Sequence, residues 1–316
     1  MENNRVLIYV GYIPDLNSGG NSMIPYYIKN INKIFNKSLA YFYILFNTNF
    51  ISDDEMYVEM NKYNDINLPI ATADLVNDKN NIFIYPENCE NPLNALNIVR
   101  FNYYFNINKP SVYNEYNIFY ASPYKKIYNK LRERLSIPCD IELNSSNTFP
   151  TFINSFYNLE ILLDNCKDFG HEREGSCYTT RKGIWHPHFI NNFDKHPPNS
   201  FLIDYHVSNA KDVIEIFNRY KYFYSYDGFT ILLQIASMCG CIPIIIPFWD
   251  FESISDFWDE PWFTNGIAYG DSDEQIKFAI NTKTILKEEL EKMHKFDYDA
   301  LYKELVESIY TYFTLL

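Results

Sequence analysis

The chain has no excess of positive charge. Lys and Arg number 27 against 40 Asp and Glu, a formal net charge of −13. A nucleic-acid binder needs a basic face to displace counterions from phosphates, so the balance argues against that class. A phosphate-bearing small molecule stays in play, because a few local cations and helix N-termini suffice for it. No apolar run reaches the length that spans a bilayer, and Ser38–Phe46 is only strand-sized. No GxGxxG follows the first strand and no acidic residue ends the second at Phe46-Asn47, which weakens a nicotinamide or flavin reading. GxSxG is also missing, which leaves a Ser–His–Asp hydrolase unsupported. There is no CxxC pair. Cys89, Cys139, Cys166, Cys177, Cys239 and Cys241 read as reduced thiols, and Cys239-Gly240-Cys241 is too tight for a zinc knuckle. MENN leads straight into a strand with no secretory signal, so a cytoplasmic protein is expected. Internal repeats and low-complexity tails are lacking.

What is present suits a large globular chain. Its 316 residues accommodate two domains, and 47% hydrophobic residues supply substantial cores. The 28 Tyr and 25 Phe read either as codon bias, in step with abundant Asn, Ile and Lys, or as sugar-stacking platforms.

Strand and helix patterns alternate. Strands are expected at Arg5–Tyr12, Ala40–Phe46, Asn81–Tyr85 and Tyr116–Tyr120, and helices at Met23–Asn36 and Asn94–Tyr104. Residues 140–174 lose that clarity and mark a domain junction. Beyond it, strands are expected at Ser176–Thr180, Ser200–Asp204, Tyr222–Tyr226, Ile242–Ile246 and Gly266–Tyr269. Helices are expected at Lys211–Tyr220, Phe229–Met238 and Glu274–Thr282. Ile285–Phe313 reads as helical with a break near His294–Asp297. Such alternation implies doubly wound parallel sheets. Two α/β domains with a cleft between them would let one domain hold a ligand that is attacked by a group bound to the other.

The stretch Tyr222–Pro247 carries most chemical information, as strand, tight loop, helix, tight turn and strand. Asp227, Gly228 and Thr230 lie at the strand-to-helix loop. Gly228 permits close backbone approach, and Thr230 either donates to a phosphate or caps the helix. Arg181 and Lys182 follow another strand and precede Gly183; they either neutralise a diphosphate or form a solvated turn. In the first half, Gly19-Gly20 and Asp15 lie between the first strand and the first helix, and Glu87 follows Pro86. Asp15 and Glu87 read as a base or a sugar-hydroxyl acceptor, or as solvated loop acids. Asp271-Ser272-Asp273 and Asp297-Tyr298-Asp299 look like DxD metal signatures, but the first sits just before a helix, where Asp is favoured anyway, and the second lies within or beside the last helix. His186 and His188 lack a third ligand, and His171, His196 and His206 give no pattern, so no metal site is expected.

SYDGFTILLQIASMCGCIPIIIP resembles the donor-binding half of GT-B glycosyltransferases, in which a strand–loop–helix ends in an A…CG.P turn and an apolar strand. Arg181-Lys182-Gly183 resembles the basic pair that contacts the donor diphosphate in many of them. IYPENCENPLNALNIVRF, residues 84–101, resembles an N-terminal segment of certain polysaccharide-building transferases, and Gly19-Gly20 their glycine-rich acceptor-side loop. There is one departure. Family 4 members carry two glutamates eight apart. Alignment on Cys239-Gly240 puts Asp227 at the first and Ile235 at the second, the usual ribose ligand; Gln234 lies one position earlier and would face differently on a helix.

The resemblance implies an α/β protein of GT-B fold, two Rossmann-like domains with parallel sheets facing an interdomain cleft. Residues 1–150 would form the acceptor domain and 174–290 the nucleotide-sugar donor domain, with a C-terminal helix in 291–316 returning to the first. The implied activity is a metal-independent hexosyltransferase reaction in glycan or polysaccharide synthesis, from a UDP- or GDP-linked sugar to a carbohydrate acceptor, with no cofactor. Arg181, Lys182, Tyr226, Asp227, Gly228 and Thr230 would bind the donor and Gly19 and Gly20 the acceptor. Asp15 or Glu87 would act as base. A nucleotide-sugar epimerase of the same fold and a non-catalytic nucleotide-sugar-binding protein are the alternatives. The stereochemistry and the oligomeric state are left open.

Overall fold

The computed structural model describes residues 5–11, 23–44, 68–86, 89–102, 116–120, 148–151, 166–180, 194–204, 210–228, 230–248, 251–256, 261–295 and 298–315. The chain divides into two compact units, Met1–Tyr157 with Asp297–Leu316, and Asn158–Phe296. Each is an α/β unit built on one parallel sheet.

The first sheet holds β1 (Leu7–Gly11), β2 (Ala40–Ile44), β3 (Ile82–Pro86), β4 (Asn97–Asn102), β5 (Tyr116–Tyr120) and β6 (Thr148–Thr151). Their order is β2-β1-β3-β4-β5-β6, with every pair parallel. LIYVG is buried along its whole length, as a central parallel strand covered on both faces must be. On one face Leu7, Tyr9, Phe42, Ile84, Val99 and Phe101 pack with Ile28 and Ile31 of α1 (Met23–Phe35). Leu305, Val306 and Ile309 of α7 (Tyr298–Leu315) complete that core. Tyr27 sits edge-on to Phe101 at 5.0 Å and to Tyr302 at 5.4 Å. Arg5 Nη1 donates to the Phe313 carbonyl at 2.9 Å and Tyr310 Oη to the Arg5 carbonyl at 2.7 Å, pinning α7 to the start of β1. On the opposite face Ile8, Val10, Phe83 and Tyr85 pack with Leu75 and Val76 of the short helix α2 (Ala73–Asn77).

The second sheet holds β7 (Ser176–Thr179), β8 (Phe201–Leu202), β9 (Tyr222–Ser225), β10 (Ile242–Ile245) and β11 (Ala268–Tyr269). Their order is β11-β10-β9-β7-β8, again all parallel. Helices α3 (Ala210–Arg219), α4 (Leu232–Met238), α5 (Pro261–Thr264) and α6 (Asp273–His294) belong to this unit. Ala279 of α6 packs on the face carrying Tyr224, Tyr226, Ile244 and Ile246. Phe217 of α3 meets Phe223 on the other face, 4.8 Å between rings. α6 and α7 are separated at residues 295–297, inside the expected break.

One expected helix, Asn94–Tyr104, is instead strand β4. Val99 and Phe101 enter the α1/α7 core while Ile98 lies with the other face, so a period of two prevails over the helical spacing. Strand β6 lies in a stretch that gave no element from its sequence. The helix expected from Phe229 begins at Leu232. Among the described residues no helix is long and apolar enough to cross a membrane.

The β4 assignment has a measurable consequence. Phe101→Ala, which empties the space against Tyr27, should cost about 3–4 kcal/mol in urea unfolding. Leu96→Ser, at a side chain 70% exposed, should change stability by less than about 0.5 kcal/mol.

Candidate functional site

Strand order decides where a ligand can enter a parallel sheet. Loops leaving two adjacent strands in opposite directions open a crevice at their carboxyl ends. In the second sheet the chain leaves β7 towards β8 and leaves β9 towards β10, so the switch point lies between β7 and β9. In the first sheet β1 leads to β2 and β3 to β4, which puts the switch point between β1 and β3.

The exit of β7 is held by one carboxylate. Asp204, just beyond β8, accepts hydrogen bonds from Thr179 Oγ1, from the Thr180 backbone N–H at 2.9 Å and from Thr180 Oγ1 at 2.7 Å. Polar groups at a strand end that the sheet no longer pairs are thereby satisfied. The chain then runs directly into Arg181 and Lys182, which lie outside the described residues.

The exit of β9 extends the pairing, with the Tyr226 N–H donating to the Thr179 carbonyl at 3.1 Å. Ser225 Oγ then closes a small turn, donating to the Asp227 carbonyl at 2.7 Å and accepting from the Asp227 N–H at 3.2 Å. Asp227, Gly228 and Thr230 are all buried. Thr230 Oγ1 accepts from the Leu232 N–H at 3.3 Å, and Ile231, at the cap position, makes no side-chain cap. Thr230 thus tightens the entry to α4.

Sequence inspection missed a third feature of these strand ends. His196 stacks on Tyr178 of β7 with ring centroids 3.7 Å apart and planes 18° apart. It meets Tyr226 edge-on at 5.7 Å, and its Nδ1 lies 2.8 Å from Tyr226 Oη, which also accepts the Lys195 N–H at 3.0 Å. Burial lowers the His196 pKa despite the opposing charge of Asp194, and burial pushes Tyr226 up to about 12. No local pattern around His196 signals this, because its aromatic partners, Tyr178 on β7 and Tyr226 just past β9, are not its neighbours in sequence.

Other residues singled out from sequence have structural roles. Gln234 is fully buried, its Nε2 3.4 Å from the Trp262 carbonyl on α5, while Ile235 beside it is half-buried. Gly240 ends α4 in a Schellman motif, with Cys241 N–H to Ala236 carbonyl and Gly240 N–H to Ser237 carbonyl, both 3.0 Å. Its φ is +88°, and a Cβ there would overlap the Asp168 carboxylate and come within 2.8 Å of Arg173 Nη2. Arg173 bonds Asp168 at 2.6 Å and the Cys239 carbonyl at 2.7 Å, and Lys283 bonds Asp168 at 3.0 Å. Burial would raise the Asp168 carboxyl, but the Gly170 N–H, Arg173 and Lys283 outweigh it and bring it to about 2. The cysteine-glycine turn is thus a helix stop sealed by an ion-pair cluster.

The described cysteines are buried and form no disulfide with one another. The Cys166 hydrogen bond and burial hold Cys239 far above the ordinary thiol range, and burial with Cys177 does the same for Cys241. Neither thiol is a nucleophile at neutral pH.

In the first unit the segment 84–101 also builds its own frame. Tyr85 Oη donates to Asn91 Oδ1 at 3.1 Å, and Asn91 closes the loop on both backbone groups of Ala95 at 2.9 and 3.0 Å. Arg100, buried over the Tyr85 ring at 5.2 Å, donates to the carbonyl of Cys89. Asp15, Gly19, Gly20 and Glu87 lie outside the described residues; in chain order the first three follow β1 and Glu87 follows β3. Asp273 stands in the first turn of α6, where Ser272 Oγ accepts the Gln275 N–H at 3.3 Å. Asp297, His186, His188 and His206 also lie outside the described residues. No group of three His, Cys, Asp or Glu side chains that could hold a metal occurs among the described residues.

No protein-family model and no curated protein sequence matches the chain. A solved structure of a glycosyltransferase from Rickettsia africae ESF-5 is similar in shape, at 11% identity over 98% of this chain and 99% of that one, with a TM-score of 0.44. A likeness at that level carries no functional weight.

Two substitutions test this frame. Gly240→Ala should cost about 2 kcal/mol through its left-handed backbone and the displaced Asp168 cluster, measured by urea unfolding. Asp204→Ala, which strands the Thr179 and Thr180 donors, should cost about 2 kcal/mol in the same measurement, with Asp204→Asn intermediate.

Proposed function

We propose that the protein is a GT-B type glycosyltransferase of the hexosyltransferase class. It moves a sugar from a UDP- or GDP-linked donor to a carbohydrate acceptor, with the donor held by the second unit and the acceptor by the first. The observation that carries this reading is a coincidence at the second sheet. The two strands flanking its switch point are the ones that run into Arg181-Lys182 and into Asp227-Gly228-Thr230. A crevice at such a switch point suits a diphosphate, and two cations and a glycine turn follow its two strands in chain order. At the first sheet, Asp15, Gly19 and Gly20 follow one flanking strand and Glu87 the other, which supports an acceptor side built in the same way.

In transfer, the bond between the sugar anomeric carbon and the diphosphate oxygen breaks, and its electron pair leaves with the nucleoside diphosphate. An acceptor hydroxyl oxygen forms the new bond and gives up its proton. In an inverting reaction Asp15 or Glu87 takes that proton; in a retaining one the departing phosphate does. Negative charge grows on the leaving diphosphate, so fixed cations contribute most there. Arg181 and Lys182 supply that charge in a metal-independent mechanism, with Thr230 donating its hydroxyl proton. Gly228 lets the ligand approach the backbone, and Asp227 holds a donor hydroxyl or the loop geometry. We place this work in polysaccharide synthesis in the cytoplasm, where buried free thiols such as Cys177 and Cys241 stay reduced.

Ile235, at the position of the usual ribose ligand, keeps a second reading open: a degenerate transferase that binds a sugar or nucleotide without transfer. Calorimetry with UDP and GDP and a transfer assay over an acceptor panel decide between them. Arg181→Ala and Lys182→Ala should each weaken nucleoside diphosphate binding about 10- to 100-fold, the weight of a charge-assisted hydrogen bond. Undiminished binding and transfer in both variants overturns the diphosphate role, and tight donor binding with no turnover favours the second reading.

A further inference from the structure

The first unit buries a hydroxyl that its own chain does not serve. Tyr9 is the middle residue of β1 and is 1% exposed, packed in the α1/α7 core. Its Oη is shielded from solvent and has no hydrogen-bond partner among the described residues. Tyr302 of α7, also buried, brings a second hydroxyl to the same cluster. The ring of Tyr27 lies against both, 6.3 Å from the Tyr9 ring and 5.4 Å from that of Tyr302, centroid to centroid. Tyr302 Oη accepts from Asn30 Nδ2 of α1 at 3.3 Å, and among the described residues no acceptor takes its own hydrogen. Burial, and then the Tyr302 phenol, push the Tyr9 phenol far above the ordinary tyrosine range. The two phenols therefore stand near enough to influence each other, yet they do not bond.

A buried hydroxyl without a partner loses its hydration and gains nothing in return, whereas phenylalanine would fill nearly the same space without that cost. Two polar groups buried together but too far apart to bond directly are the setting in which proteins hold an internal water. We propose that the first unit has an internal water-binding site between β1 and α7, with the water hydrogen-bonded to the hydroxyls of Tyr9 and Tyr302. Neither phenol ionises at neutral pH, so the site presents hydroxyl dipoles and no charge, which suits water and not an ion. The water adds a polar bridge from strand to helix inside an apolar core. It acts beside the Arg5 and Tyr310 bonds that pin α7 to the start of β1.

The test is high-resolution crystallography of the full chain, paired with urea unfolding of Tyr9→Phe. Wild-type density should show an ordered peak within hydrogen-bond distance of both hydroxyls, and Tyr9→Phe should lose it. The variant should also have a lower urea midpoint, because its water has lost a partner. A hydroxyl with no water is a pure cost, so its removal would leave the midpoint unchanged or raise it. No peak between the hydroxyls, with an unchanged or raised midpoint, overturns the proposal. Where density and midpoint disagree, the density decides. If Tyr9→Phe does not fold, the wild-type density decides alone.

Discussion

The parallel pairing of β7 with β9 is the constraint on which the second unit's chemistry depends. The two strands are distant in the chain, yet Ser176–Thr179 lies in register with Tyr222–Ser225, and the Tyr226 N–H extends the ladder to the Thr179 carbonyl. Because the chain leaves them in opposite directions, neither exit has to be covered by the other's crossover. That freedom has a cost, since backbone groups at an uncovered edge need partners. Asp204 meets it at β7 and Ser225 at β9. A third set of contacts reaches His196 from Tyr178 of β7 and from Tyr226 just past β9.

Motifs that look functional divide between ligand and frame. The cysteine-glycine turn after α4 is a helix stop whose left-handed glycine leaves room for the Asp168–Arg173–Lys283 cluster. The segment 84–101 spends Tyr85, Asn91 and Arg100 on holding its own loop to the sheet. Such residues hold the neighbouring strand exits in place. A similarity carried by them speaks to local architecture before it speaks to chemistry.

Much of the architecture was legible because buried parallel strands are continuous apolar runs. Leu7–Gly11, Tyr116–Tyr120 and Ile242–Ile245 read as strands, with Gly240 as a stop. The failures were equally physical. Asn97–Asn102 carries apolar residues that fit either period, and only the α1/α7 core, by taking Val99 and Phe101, decides for a strand. Thr230 stands where a cap is expected, but its hydroxyl bonds the N–H two residues on, and Ile231 occupies the cap.

By itself the sequence determined the α/β class, the approximate position of most strands and helices, and the residues that follow each strand, because these depend on local periodicity and turn chemistry. Strand order belonged to the tertiary structure, and with it the fact that the strands leading to Arg181 and to Asp227 are neighbours. So did every partner of the site's frame: Asp204 for Thr180, Asp168 for Arg173 beside Gly240, Tyr226 for His196. A parallel strand bonds equally well to any neighbour of the right length. The order is therefore set by which faces the helices can cover, and that is a property of the whole unit.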